Sequence, residues 1–102
     1  MSEISKINQN VVVKKIDQET INVQILQNDL LLAVVGQFNQ NLSELEKLTK
    51  TTIFFRGNSL TLKGKLQDIR QTAEAIKFLV NKYLLTKMIE KNDIILSVKK
   101  NI

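Results

Sequence analysis

The chain contains no cysteine, no histidine, no proline and no tryptophan, and it has three glycines. Without thiols or imidazoles it can form no disulfide, no Cys/His zinc site, no thiolate nucleophile and no imidazole acid–base pair. A cysteine-free chain is indifferent to redox state, which is compatible with an intracellular, reducing compartment; the expected location is cytoplasmic. No apolar run approaches the roughly 20 residues needed to span a bilayer. The opening MSEISKINQN lacks the apolar centre of a signal peptide, so no membrane partner is expected. The absence of proline and of any Gly/Ser-rich stretch leaves no sign of an internal boundary in 102 residues, a length suited to one domain.

What is present is the material for one core, at 43% hydrophobic residues, and a formal charge of +5 that is unevenly spread. Residues 1–50 carry five Lys/Arg against six Asp/Glu, whereas residues 51–102 carry ten against four. The second half can therefore meet phosphates, and the first half has no such excess.

Residues 1–18 are polar apart from Val11–Val13, and read as a flexible N-terminal arm or a short edge strand. From Thr20 the alternation Ile21, Val23, Ile25 has the period of a half-buried strand. Asn28-Asp29 can cap a short helix through Leu30–Val35, which is apolar and so buried, and Gly36 suits its exit. Asn39 or Asn41 can cap a second helix. Asn41-Leu42-Ser43-Glu44 has capping-box spacing, and Leu42, Leu45 and Leu48 share one side. Thr51–Phe55 and Ser59–Lys63 read as strands joined by a tight hairpin at Arg56-Gly57-Asn58-Ser59. After Gly64, Leu66, Ile69, Ala73, Ile76, Val80 and Tyr83 recur every three or four residues, predicting a long amphipathic helix against the sheet. A last helix starts near Asn92, with Ile94, Ile95, Val98 and Ile102 on one side.

For catalysis the residues offer little. The carboxylates sit at predicted helix starts or on solvated faces, and no pair is brought together as general acid and base. Ser59-Leu60-Thr61-Leu62-Lys63-Gly64-Lys65-Leu66 lies between strand and helix as a phosphate loop does. It has Ser59 where the first glycine belongs and Leu66 in place of the magnesium-binding hydroxyl. The chain itself is expected to be no enzyme and to hold no cofactor or metal. Of the aromatics, Phe38 is expected to tuck inward, and adjacent Phe54 and Phe55 must point to opposite faces of a strand, one into the core and the other elsewhere.

The element order β-α-α-β-β-α is that of a type I KH domain: α+β, a three-stranded sheet backed by helices, here with a C-terminal helix added. The expected division is an arm over 1–18, a KH-like domain over 19–88, and a C-terminal helix over 89–102 leading to a downstream domain. KH domains clamp a nucleic-acid backbone with a GXXG loop between their first two helices. That place holds Gly36-Gln37-Phe38-Asn39, with the first glycine present and the second replaced.

The stretch "LLLAVVGQFNQNLSELEKLTKTTIFFRGNSLTLKG", then "LQDIRQTAEAIKFLVNKYL" and "IEKNDIILSVKK", resembles the N-terminal region of PhoH-like proteins, bacterial proteins named for induction by phosphate starvation. The resemblance covers about Ile21 to Lys100. It implies RNA-related processing and a P-loop ATPase domain downstream. This chain stops before any phosphate loop, so ATP and magnesium are expected to belong to the parent protein. Single-stranded RNA, the ATPase domain and oligomers formed through the parent are the implied partners. The candidate nucleic-acid-binding residues are Gly36, Gln37, Phe38, Asn39, Asn41, Lys47, Lys50 and Arg56. A Cβ at Asn39 restricts close backbone approach and Gln37-Phe38 brings no cation, so the expected grip is weak and salt-sensitive. The alternative is a degenerate KH-like module that positions or oligomerises the ATPase domain without binding RNA.

Overall fold

Ile21, Val23 and Ile25, the alternating apolar residues of β2 (Thr20–Ile25), are all buried, and they lie at the centre of the molecule. A computed structural model describes residues 10–99 of the chain. β1 (Val11–Asp17) precedes β2 and pairs with it antiparallel, from Val11 opposite Ile25 to Asp17 opposite Thr20. The chain then leaves the sheet for two helices, α1 (Asn28–Val35) and α2 (Gln40–Thr49), joined through a single 3-10 turn at Gln37–Asn39. It returns as the hairpin β3 (Thr52–Arg56) and β4 (Ser59–Lys63), followed by α3 (Leu66–Thr86) and α4 (Lys91–Lys99).

The result is an α+β fold on a four-stranded antiparallel sheet of order β1-β2-β4-β3. β4 inserts between β2 and β3, which places β3 at a free edge. The helices cover one face only. Leu60 and Leu62 of β4 join the β2 side chains beneath Ile69, Ala73, Ile76, Leu79 and Val80 of α3. Leu30, Val34, Leu42, Leu45, Ile94 and Val98 complete the core from the other helices. Gly57 at φ 59° makes the β3–β4 hairpin turn, as a tight two-residue connection requires. Among the described residues no helix is long and apolar enough to cross a membrane.

Several expectations change. The sheet has four strands rather than three, because Val11–Asp17 form an edge strand and not an arm; residues 1–9 lie outside the described residues. Of β1's seven residues Val11 alone is buried, so main-chain pairing holds the strand with almost no hydrophobic alternation to announce it. No side chain caps α1: Gln27 precedes it, and Asn28 and Asp29 stand inside its first turn. The capping box at the start of α2 does not form either. In α2 the buried stripe is Leu42, Leu45 and Thr49, while Leu48 is half-exposed. The last helix begins at Lys91, and Ile102 lies outside the described residues.

Candidate nucleic-acid interface

The turn after α1 is built around a steric requirement. Gly36 takes φ 79°, ψ 170°, a region open to glycine, and its N–H donates to Leu32 O at 2.9 Å. A Cβ on Gly36 would stand 2.7 Å from Cγ of Asn41. That close approach lets the Asn41 Nδ2 donate to Ala33 O at 3.1 Å, satisfying a carbonyl in the last turn of α1 from the first turn of α2. Asn41 is thus a brace between two helices.

The next residues are left-handed in succession, Phe38 at φ 54° and Asn39 at φ 60°. Asn is the residue other than glycine that visits this region most readily, whereas an aromatic there costs roughly 1–2 kcal/mol. Phe38 gains no burial in return, since it is 99% exposed. It points outward, contrary to the inward position expected from its apolar character. The left-handed backbone at Phe38 leaves its side chain in solvent.

Beyond Asn39 a cleft of about 770 Å³ opens between α2 and the edge strand. Asn39, Leu42, Ser43 and Glu46 form its helical wall, Ile53 to Arg56 of β3 form the opposite wall, and Thr61 and Lys63 of β4 lie behind. Glu46 spans the gap, its Oε2 accepting the Ile53 N–H at 2.8 Å. The Ile53 N–H therefore points away from β4, and by the two-residue alternation of a strand the main-chain groups of Phe55 point the same way, into the cleft.

Both phenylalanines of β3 are solvent-accessible, Phe54 at 53% and Phe55 at 37%. They do point to opposite sides of the strand, but an edge strand ends beyond the reach of α3, so neither is swallowed by the core. Arg56 and Lys63 supply positive charge at the cleft and Glu46 the opposing charge. Asp17, in the same cross-strand row as Lys63 with Thr20 between them, has its carboxyl held below the ordinary range, first by the Glu19 N–H at 2.8 Å and further by the Thr20 hydroxyl and by Lys63 itself.

The eight candidate residues thus separate. Asn39 and Arg56 line the cleft. Gly36, Gln37 and Asn41 line a groove on the other side of the turn, with Leu32, Tyr83 and Met88. Phe38 stands alone at the tip, and Lys47 and Lys50 are exposed on α2 and at its C-terminal end, outside the cleft lining. Lys63, Thr61 and Glu46 were not among the candidates. The alternation Ser59, Thr61, Lys63 against buried Leu60 and Leu62 is the sequence signal that could have found the first two. No sequence signal pairs Glu46 with Ile53.

No protein-family model, curated protein or solved structure matches this chain.

Proposed function

We propose that the chain is a KH-like accessory domain that holds single-stranded RNA in the cleft between the 36–39 turn, α2 and β3. The observation that carries this reading is Asn39 at φ 60°, ψ 23°: the position of the missing second glycine keeps the left-handed backbone that a glycine would supply. The order β2-α1-α2-β3-β4-α3, with β4 between β2 and β3, supports it, and β1 is then an added edge strand. In this reading the domain belongs to a cytoplasmic PhoH-like ATP-binding protein. ATP and magnesium bind to the parent's separate P-loop domain.

The charge balance sets the strength. Arg56 and Lys63 offer two phosphate contacts while Glu46 opposes them, so affinity is low and depends on salt. Two contacts to a single strand give a slope of about −1.4 in log K against log salt, or roughly sevenfold weaker binding between 50 and 200 mM. Anisotropy titration of labelled single-stranded RNA across that range measures the slope, and Arg56→Glu should abolish saturable binding. Absence of saturable binding by the unaltered chain at either salt would reject the reading.

A second reading, an interaction module that positions or oligomerises the ATPase domain without RNA, is favoured by one observation. Leu32 and Met88 line a groove of about 400 Å³, and both are more than half exposed, as is Leu85 at 83%. Mass measurement of the chain with and without the downstream ATPase region tests it; a monomer with no contact between the regions sinks it.

A further inference from the structure

Among the described residues, no element covers the sheet face turned away from the helices. Strand register places Lys14, Asn22, Thr61 and Phe54 in one row across all four strands, on the side opposite Leu60 and Leu62. Asn22 Nδ2 donates to Thr61 Oγ1 at 3.3 Å in the middle of that row. Arg56 follows Phe54 by two residues on the same side of β3, and Lys63 occupies the neighbouring row of β4. Lys14, Arg56 and Lys63 are all exposed, and the four strands contain one carboxylate, Asp17, which accepts the Glu19 N–H and lies in the Lys63 row, where it offsets part of that charge.

This arrangement selects its occupant by charge and by shape. A second copy meeting this face about a two-fold axis would set cations against cations, with Val12 and Phe54 as the exposed apolar side chains in the rows of Lys14 and Arg56 to offset that. A polyanion that also carries flat rings meets both features, since bases stack on aromatic side chains and phosphates pair with Arg and Lys. Phe54, Arg56, Thr61 and Lys63 belong to the cleft as well, so the cleft and the open face are continuous around the edge strand.

Resting on the single-stranded RNA reading above, we infer that the strand leaves the cleft over β3 and crosses the open sheet face. One base stacks on Phe54 and the phosphates on either side meet Arg56 and Lys63. The carboxamide of Asn22 and the hydroxyl of Thr61, which can both donate and accept, meet a base edge. Lys14 takes a phosphate three strand spacings from β3, roughly 14 Å away. The footprint is thus longer than the four nucleotides that a KH clamp spans.

Lys14 and Asn22 lie outside the cleft lining, so they report on the open face alone. The test titrates the full isotope-labelled chain with single-stranded oligouridylate of about four and about eight nucleotides, following the Asn22 side-chain amide and the Thr61 methyl by NMR. With the longer strand both signals move together with the 36–39 turn, and affinity rises over the shorter one. Phe54→Ala weakens binding about tenfold while Phe54→Tyr restores it. With three contacts the slope on the longer strand is about −2.1, and Lys14→Ala makes it shallower by about 0.7, to the value of about −1.4 for the cleft alone. Thermal melts of each variant separate lost binding from lost fold. Saturable binding with Asn22 still, and with affinity and slope unchanged by Lys14→Ala, would overturn the inference and leave the cleft reading standing. No saturable binding overturns both. Shifts of the same signals with protein concentration in the absence of RNA would assign the face to a second copy and overturn the inference.

Discussion

At the residue scale the 36–39 turn carries more constraint than its four letters suggest. Gly36 is fixed by two independent demands, its backbone angles and the 2.7 Å approach that a Cβ would make to Asn41. Gly36→Ala should therefore lower stability by about 2 kcal/mol, through strain and through loss of the Asn41–Ala33 brace. Phe38 gives the opposite expectation, because its left-handed backbone is strained and its ring is exposed. Phe38→Gly relieves the strain and adds some unfolded-chain entropy, for a net gain of about 0.5 kcal/mol and a melting point a few degrees higher. Calorimetric melts of the two variants check both signs. A loss of more than about 1 kcal/mol in Phe38→Gly would contradict the geometry.

At the scale of elements, α4 is held to α3 by a polar clasp. Asp93 is buried and receives the Lys82 ammonium at 2.7 Å on one oxygen and the Glu90 N–H at 2.8 Å on the other. The second bond also satisfies an amide just ahead of the first turn of α4, so one carboxylate both starts the helix and docks it. These contacts, the Lys82 bond foremost, hold the Asp93 carboxyl below the ordinary carboxylate range. The folded state thus favours the charged form. The stabilisation is complete above the unfolded pKa near 4 and is lost as pH falls through the lower folded value. Since Lys82 is about a third exposed, the clasp is worth roughly 1–2 kcal/mol. Asp93→Asn should lose that amount at neutral pH and show a flatter decline as pH falls below about 4. Denaturant melts at pH 7 and pH 3 measure it; equal declines in both proteins would remove Asp93 as the cause.

Elements also differ in how plainly the residues announce them. α3 was legible because Ile69, Ala73, Ile76 and Val80 are all buried against one sheet, and burial imposes the helical period on the sequence. β2 and β4 were legible for the same reason at a period of two. β1 is legible only as an arm or a short edge strand, because six of its seven residues are exposed and a strand held by main-chain hydrogen bonds leaves no pattern in its side chains. The caps failed where other partners took the amides and carbonyls. Asn41 had the right spacing for a capping box, but its side chain reaches back to Ala33.

For the whole molecule, β1 decides what the sheet exposes. It covers the edge of β2, so among the described residues the free edges are β1 itself and β3. Removing residues 1–17 would bare β2, whose inward side chains are wholly apolar, and an exposed apolar edge invites pairing with another chain. A chain beginning at Gln18 should melt earlier and form larger species with rising concentration, measured by light scattering. A stable monomer would mean that β1 is dispensable to the sheet.

Local order was fixed by the sequence itself: the apolar periods set β2, β4 and α3, Gly57 set the hairpin, and Gly36 ended α1. These are decided within a few residues, because burial of one face or a demand for positive φ acts on side chains near in the chain. Tertiary structure decided which of those pieces meet. It inserted β4 between β2 and β3, left β3 and its two phenylalanines at an edge, put Lys63 and Arg56 at opposite ends of one cleft, and set Glu46 on the Ile53 amide. Pairing between strands far apart in the chain is chosen by the packing of the whole sheet against its helices, so no residue along the way carries its mark. The cleft and the open face beyond it exist through that choice.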